Sequence, residues 1–194
     1  MKLHENEAAE ILREMCQGEY MHPTPVKEGK IELVADIDGL LKVNSDKIKK
    51  VNSMGEMMIA SRHGNFAVKK GDKLAGTRII PLVIEKEKME SAKAVCEGQT
   101  ILSLKPFVHK KVGIVTTGNE VYYHRIEDTF TPVIKEKLAD YDTEVIGQVV
   151  CNDDHEKITK AILSLIEKGA DLVLCTGGMS VDPDDKTPLA IKNT

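Results

Sequence analysis

The 194-residue sequence predicts an α/β protein, and three patterns carry that prediction. From Lys111 onward, continuous apolar runs alternate with stretches whose apolar residues recur at helical spacing. Between Val26 and about Ile84, short apolar or alternating runs are separated by Gly, Asp and Asn turns. Near the N-terminus one stretch carries a single apolar stripe. The first pattern belongs to a parallel sheet covered by helices, the second to a small β-rich body. The predicted architecture is an N-terminal helix (1–25), a small β-rich domain with a connecting helix (26–106), and a C-terminal parallel βαβαβ domain in three layers (107–194).

Each element has its own signature. In "ENEAAEILREMCQG", Ala8, Ile11, Leu12, Met15 and Cys16 fall at i, i+3, i+4, i+7 and i+8. Asn6 is the expected cap of this helix and Gly18 its expected stop. The runs "KIELVAD", "GLLKV", "GEMMIASRHGNFAV" and "AGTRIIPLVI" read as strands, with "NSDKIKKVNS" as one helical turn among them. The mixed-charge stretch from Glu85 to Gln99 reads as the connecting helix with a solvated face, and "LKPFVHKK" as the domain boundary. Then "KVGIVTT", "TEVIGQVV" and "DLVLC" read as buried strands. Between them lie two stripes: Phe130, Val133, Ile134 and Leu138; then Ile158, Ala161, Ile162, Leu165 and Ile166 with Gly169 as the stop. The third strand is followed by the start of a helix, so this domain is expected to be truncated. Its open edge is expected to be relieved by association with another copy or a complementary segment.

Composition narrows the function classes. Aromatic residues make up 4% of the chain and Trp is absent, so the core is aliphatic. A net charge of −4 gives no field that would attract nucleic acid. No run approaches the length of a membrane span, and the acidic start "MKLHENEAAE" is not a signal peptide. A cytoplasmic protein is expected, with neither nucleic acid nor membrane as partner. Cys16, Cys96, Cys151 and Cys175 are far apart and form no C-x-x-C pair, which argues against a zinc site or a disulfide scaffold. Cys175, at the end of an apolar run, reads as a small buried hydrophobe.

Two glycine turns carry the functional signal. Ligands of open parallel sheets bind beyond the carboxyl ends of the strands, where strand order reverses. The commonest topology places the first strand between the other two. Then "TTGNEV" after the first strand lies beside "TGGMS" after the third. Gly118, Gly177 and Gly178 let backbone approach a ligand closely. Thr117, Asn119, Thr176 and Ser180 offer hydroxyl or amide groups, and a helix after Ser180 would aim its amides at the same crevice. Neither a Walker loop nor a dinucleotide fingerprint is present. A plain strand-to-helix turn explains either glycine turn alone; two turns at neighbouring strand ends suggest a site.

Carboxylates crowd this anion-friendly place. Asp182-Pro183-Asp184-Asp185 reads equally as a helix start, with Asp182 as cap, and as ligands of a cation. Glu120 and Asp128 are expected to approach the same face. Acids around a phosphate repel it unless a cation lies between, and Mg²⁺ suits few carboxylates plus ligand oxygens. Asp153 and Asp154 read mainly as the cap of the following helix.

At these residues the sequence resembles a known family. "TTGNEV", "IEDT", "NDD" and "DLVLCTGGMSVDPDD" together are similar to the molybdopterin-binding domain. That domain is shared by molybdopterin adenylyltransferases, molybdenum insertases and the competence-damage-inducible proteins. The nearer resemblance is to an insertase-related branch, with "TGGMS" in place of "TGGTG". The resemblance implies that Gly118, Asn119 and Glu120 form the first ligand loop with Thr117. It puts Asp128 at the acidic position that follows, and makes Thr176, Gly177, Gly178, Met179 and Ser180 the pterin-phosphate loop. Asp185 falls at the acidic position ascribed to metal or catalysis. Asp185, Asp182 and Asp128 are the implied metal-side carboxylates, Asp185 and Glu120 the implied catalytic ones. Two positions depart from the pattern: Thr129-Phe130 where the family often has Ser-Asn, and Asp182 where insertases commonly have Gly.

The resemblance implies a molybdopterin-binding protein of molybdenum cofactor biosynthesis or delivery, with Mg²⁺ and a homo-oligomeric assembly. If catalytic, it would insert molybdenum with cleavage of the pterin adenylate. Two alternatives stand beside this: a nucleotide pyrophosphatase acting on ADP-ribose, and a carrier or regulatory module without turnover, toward which the two departures lean.

Overall fold

In the computed structural model, which describes residues 1–179 and 183–194, the chain divides between Phe107 and Val108 into two units. The first unit begins with β1 (Lys2–His4) and α1 (Glu5–Cys16). The cap of α1 is His4 rather than Asn6. The His4 ring accepts the Asn6 amide at 3.3 Å and Glu7 accepts the His4 amide at 2.9 Å, a reciprocal capping arrangement. Asn6 is engaged elsewhere: its side-chain oxygen accepts the Gly29 amide at 3.0 Å. Gly18 serves close packing rather than a left-handed stop, because a Cβ there would lie 2.6 Å from the Leu102 carbonyl.

The chain continues through β2 (Met21–Pro23), β3 (Lys30–Ala35), β4 (Gly39–Val43), α2 (Ser45–Ser53), β5 (Met57–Ser61), β6 (Phe66–Val68), β7 (Lys73–Ile79), β8 (Val83–Glu85), α3 (Lys86–Ala94) and β9 (Leu102–Pro106). Two antiparallel sheets run in the orders β2-β3-β7-β5 and β6-β4-β9, and β1 pairs with β8. The N-terminal stripe is buried in this unit: Ala8, Ala9, Leu12 and Cys16 are fully enclosed, and α1 packs on β7, β3 and α3. The expected single turn at Asn44–Ser53 is a nine-residue helix, because Asn44 accepts the Lys47 amide at 3.1 Å and starts it. The stretch expected to be the boundary contains the division between the units but also the last three residues of β9, which pairs along its length with β4.

The second unit holds β10 (Lys110–Thr117), α4 (Asn119–Tyr122), α5 (Phe130–Leu138), β11 (Thr143–Cys151), α6 (His155–Glu167), β12 (Leu172–Thr176) and α7 (Thr187–Lys192). It is the α/β unit: a parallel sheet in the order β11-β10-β12, with the first strand central. Side chains alternate along β10. Val115 belongs to one face, in a core with Ile158, Ile162, Leu165 and Ala190 of α6 and α7. Thr116 belongs to the other, where its hydroxyl meets that of Thr131 in α5 at 3.0 Å. Gly113 and Gly147 are paired in register and together clear room for Leu165. A Cβ on either would come within 2.8 Å or 2.6 Å of that side chain.

Three details of the expected stripes differ. Phe130 and Val133 are 53% and 49% exposed and Ile166 is 48% exposed: the sheet is narrow, so α5 and the outer flank of α6 have little to cover them. Cys175 is half-buried because β12 is an edge strand of this sheet. The helix expected to open near Asp182 starts instead at Thr187, with Pro188 in its first turn, and Pro183 and Asp184 form a turn before it. No helix among the described residues is long and apolar enough to cross a membrane.

Candidate functional site

The carboxyl ends of β10, β11 and β12 meet at Thr117. Its hydroxyl lies 3.2 Å from the Thr176 carbonyl and 3.0 Å from the Thr187 hydroxyl. A hydroxyl has one proton, so with Thr117 donating to the carbonyl, Thr187 is the donor in the second bond. Thr117 and Thr187 are buried, which makes this pair a fixed joint between the end of β10 and the start of α7.

The glycine turn lies directly on that joint. Gly177 and Gly178 have φ of +83° and +54°, a region that disfavours any residue with a Cβ. Space forbids one as well. A Cβ at Gly177 would lie 2.0 Å from the Thr117 carbonyl oxygen, and at Gly178 it would lie 2.8 Å from the Thr187 hydroxyl. The two glycine turns therefore lie side by side at neighbouring strand ends, as the predicted topology requires.

The first loop is held from the β11 side. Gly118 opens α4 with φ +139°. The Asn119 amide donates to the Asp153 carboxylate at 3.1 Å, and the Asp153 amide donates to the Asn119 side-chain oxygen at 3.3 Å. Asp153 also faces Gly178, where its other oxygen would be 3.7 Å from an added Cβ. One acid thus bridges both loops. The cap of α6 is its neighbour Asp154, which accepts the Glu156 amide at 2.9 Å. Reading both acids as caps misses Asp153. The available signal was the doubling itself, since a helix start needs only one cap. Thr187 was also missed: a lone Thr after an acidic run carries no local mark of a contact with Thr117.

The other expected residues fall in different settings. Glu120 is exposed on α4, and Met179 is 53% exposed. Ser180 and Asp182 lie outside the described residues. Asp128 sits at the start of α5. One of its oxygens accepts the Phe130 and Thr131 amides, each at 3.0 Å, and the other accepts the Thr131 hydroxyl at 2.5 Å. Desolvation alone would raise its pKa; the hydrogen bonds from Thr131, Phe130 and Thr116 outweigh it and hold the carboxyl below its ordinary range. Both oxygens therefore serve the helix start.

Asp185 differs. It is half-buried, and its Oδ2 is shielded from solvent without a hydrogen-bond partner among the described residues. It does not cap α7, whose cap position is Lys186, so helix capping does not account for it. Asn152 Oδ1 and Thr176 Oγ1 are shielded and unpartnered in the same way. Thr176 ends β12 and Asn152 directly follows β11, while Asp185 lies two residues before α7. Buried polar atoms are nearly always paired, so this end of the sheet has unused capacity for donors or a cation. Among the described residues, no group of three His, Cys, Asp or Glu is placed to hold a metal ion. The donor set suits a cation that brings its own ligands, as Mg²⁺ does with phosphate oxygens, rather than one caged by protein.

Comparison with known proteins bears on the same residues. Residues 113–194 match a family model described as "Probable molybdopterin binding domain". The α/β unit belongs to the molybdopterin-binding domain family. The matched span includes every loop of the crevice. A CinA-like protein of Mycobacterium avium (strain 104) is 32% identical over 80 residues, which cover 41% of this chain and 18% of that protein. A CinA-like protein of Mycobacterium tuberculosis (strain H37Rv) is also 32% identical over 80 residues, 41% of this chain and 19% of that one. The chain thus spans less than a fifth of the length of these curated relatives. Among solved structures, the molybdopterin biosynthesis enzyme MoaB from Thermus thermophilus aligns with 32% identity and a TM-score of 0.42, over 43% of this chain and 54% of that one. The tungsten cofactor synthesizing protein MoaB from Pyrococcus furiosus aligns with 29% identity and a TM-score of 0.41, over 44% and 52%. The molybdopterin-binding domain so matched lies within the second unit.

Proposed function

We propose that the crevice binds molybdopterin, or its adenylylated form, in the biosynthesis or delivery of molybdenum cofactor. The observation that supports this best is the seat of Gly177 and Gly178 on Thr117 and Thr187. Bare backbone amides there are free to approach an anion closely, and no side chain fits in their place. In this reading the glycine turn takes the ligand phosphate. Asn119, fixed by Asp153, takes polar edges of the ligand. Asp185 Oδ2 faces Mg²⁺ that enters with the phosphate, and the cation supplies charge neutralisation among the acids. Glu120, on the exposed rim, orients the outer part of the ligand. The likeness to insertase-type sequences favours release of AMP from the adenylylated pterin as the reaction, if the site turns over. The match to CinA-like proteins favours a second reading of the same pocket, as a nucleotide pyrophosphatase acting on ADP-ribose.

Calorimetric titration with molybdopterin, AMP and ADP-ribose, each with and without Mg²⁺, tests the proposal. Tight pterin binding with release of AMP from the adenylate supports the insertase reading. Pterin binding without turnover supports a carrier. Cleavage of ADP-ribose supports the pyrophosphatase. Absence of binding by all three ligands overturns the proposal.

A further inference from the structure

One turn beyond the first glycine loop, the chain presents an aromatic surface. The sequence has four tyrosines and no Trp, and two of the four, Tyr122 and Tyr123, are adjacent at the end of α4. They are 40% and 57% exposed, while Val121 beside them is buried and anchors the turn. The two rings meet edge to face, with centroids 5.1 Å apart and planes at 81°. The Arg125 guanidinium lies over Tyr123, 5.9 Å from the ring centre, near the outer limit of a cation–π contact.

This surface is tied to the crevice by hydrogen bonds rather than by a flexible link. The Tyr122 and Tyr123 amides donate to the Gly118 and Asn119 carbonyls, each at 2.9 Å, and the Arg125 amide donates to the Glu120 carbonyl at 2.8 Å. Asn119 is itself clasped by Asp153, which faces Gly178. A glycine turn with hydroxyls and amides recognises an anion but offers no flat apolar surface. Tyr123 supplies that surface, and Arg125 adds a cation at its edge.

We propose that Tyr123, flanked by Tyr122 and Arg125, stacks the heterocyclic ring of a ligand whose phosphate sits at Gly177 and Gly178. The inference rests on the ligand reading above and narrows it to planar heterocycles that carry phosphate, as against sugar phosphates alone. Stacking of this kind is tolerant of which ring is offered, so a pterin and an adenine are both admitted.

AMP and ribose 5-phosphate, titrated into the full chain with Mg²⁺, separate ring from phosphate. Wild type binds AMP at least about fivefold more tightly, the modest end of base–aromatic stacking. Tyr123→Ala brings AMP down to the level of ribose 5-phosphate and leaves ribose 5-phosphate unchanged. Tyr123→Phe keeps the AMP advantage. Tyrosine emission, unmixed with Trp emission in this chain, is quenched by AMP in wild type. AMP affinity in Tyr123→Ala equal to wild type, or equal losses for both ligands, overturns the stacking inference alone. Failure of AMP and molybdopterin to bind wild type overturns the ligand reading and the inference with it.

Discussion

Thr117 and Thr187 stand 70 residues apart in sequence and share a buried hydroxyl–hydroxyl bond of 3.0 Å. This joint locks the end of the central strand to the start of the last helix, and the glycine turn rests on it. Replacing Thr117 by Val keeps the shape and leaves the Thr187 hydroxyl and the Thr176 carbonyl without that partner. The expected cost is about 1–3 kcal/mol in the unfolding of the α/β unit, read from a denaturant midpoint.

Gly177→Ala meets both a strained backbone and the Thr117 carbonyl. Left-handed backbone alone costs about 1–2 kcal/mol, and the collision adds to it or displaces the turn. The control is Gly76→Ala in β7, where an added Cβ meets nothing within 4 Å and stability should hold or rise slightly. Paired unfolding curves check this. Equal effects of the two substitutions would refute the close seat of the glycine turn.

Leu165 fills the space cleared by Gly113 and Gly147, and it is fully buried. Leu165→Ala should cost about 2–5 kcal/mol. Gly113→Ala should destabilise as well, because its Cβ would meet the Leu165 Cβ at 2.9 Å, close to the backbone where yielding is hardest. Leu165→Ala removes the Cγ and Cδ1 that an added Gly113 Cβ would meet but keeps the Cβ, so the combined cost should fall only partly below the sum; a double-mutant cycle measures it.

Two groups give the α/β unit a pH signature. Hydrogen bonding to Asp142, at 2.8 Å, holds His109 above its ordinary value of 6.5. Its contribution is full below 6.5 and is lost as pH rises through the higher folded value. Asp128 titrates below its ordinary 3.8 because hydrogen bonds outweigh its desolvation. Its contribution is present above 3.8 and is lost as pH falls through the lower folded value. Nuclear magnetic resonance titration of both side chains checks the directions. Asp142→Asn should lower the His109 value, and Thr131→Val should raise that of Asp128.

Asp153→Ala removes the carboxylate that accepts the Asn119 amide and keeps only the backbone half of the clasp, the residue-153 amide on Asn119 Oδ1. It should loosen the first loop and weaken ligand binding more than Asp154→Ala, which costs about 1 kcal/mol of helix stability through the lost cap. Asp185→Asn should abolish the Mg²⁺ dependence of binding without lowering the unfolding midpoint, because this carboxylate caps nothing. Calorimetry and thermal unfolding of the three variants separate the roles.

The alternation of periods made the sheet, its helices and its strand order legible, because a buried parallel strand and an amphipathic helix differ over many residues. Short elements were not legible. β1 and β2 have three residues each, too few to show a period, and β9 was masked by Pro106. Local chemistry was read well where one residue suffices, as with Asp154. It was misread where two neighbours compete: Asn6 gave way to His4 because Gly29 claimed its side chain, and Asp153 was assigned its neighbour's task. Contacts between distant residues, such as Thr117 with Thr187, leave no local mark. The acids were the hardest to sort, since a carboxylate that starts a helix and one that faces a ligand look alike in sequence. Only the hydrogen bonds of Asp128 and the unpartnered oxygen of Asp185 separate them.

Backbone amide shifts of the isotope-labelled chain, followed as molybdopterin is added with Mg²⁺, test the central claim most directly. The account predicts that the amides of Gly118, Asn119, Gly177 and Gly178 move together with one affinity, and that those of the antiparallel sheets stay still. Shifts confined to the first unit, or movement of one glycine loop without the other, would contradict it.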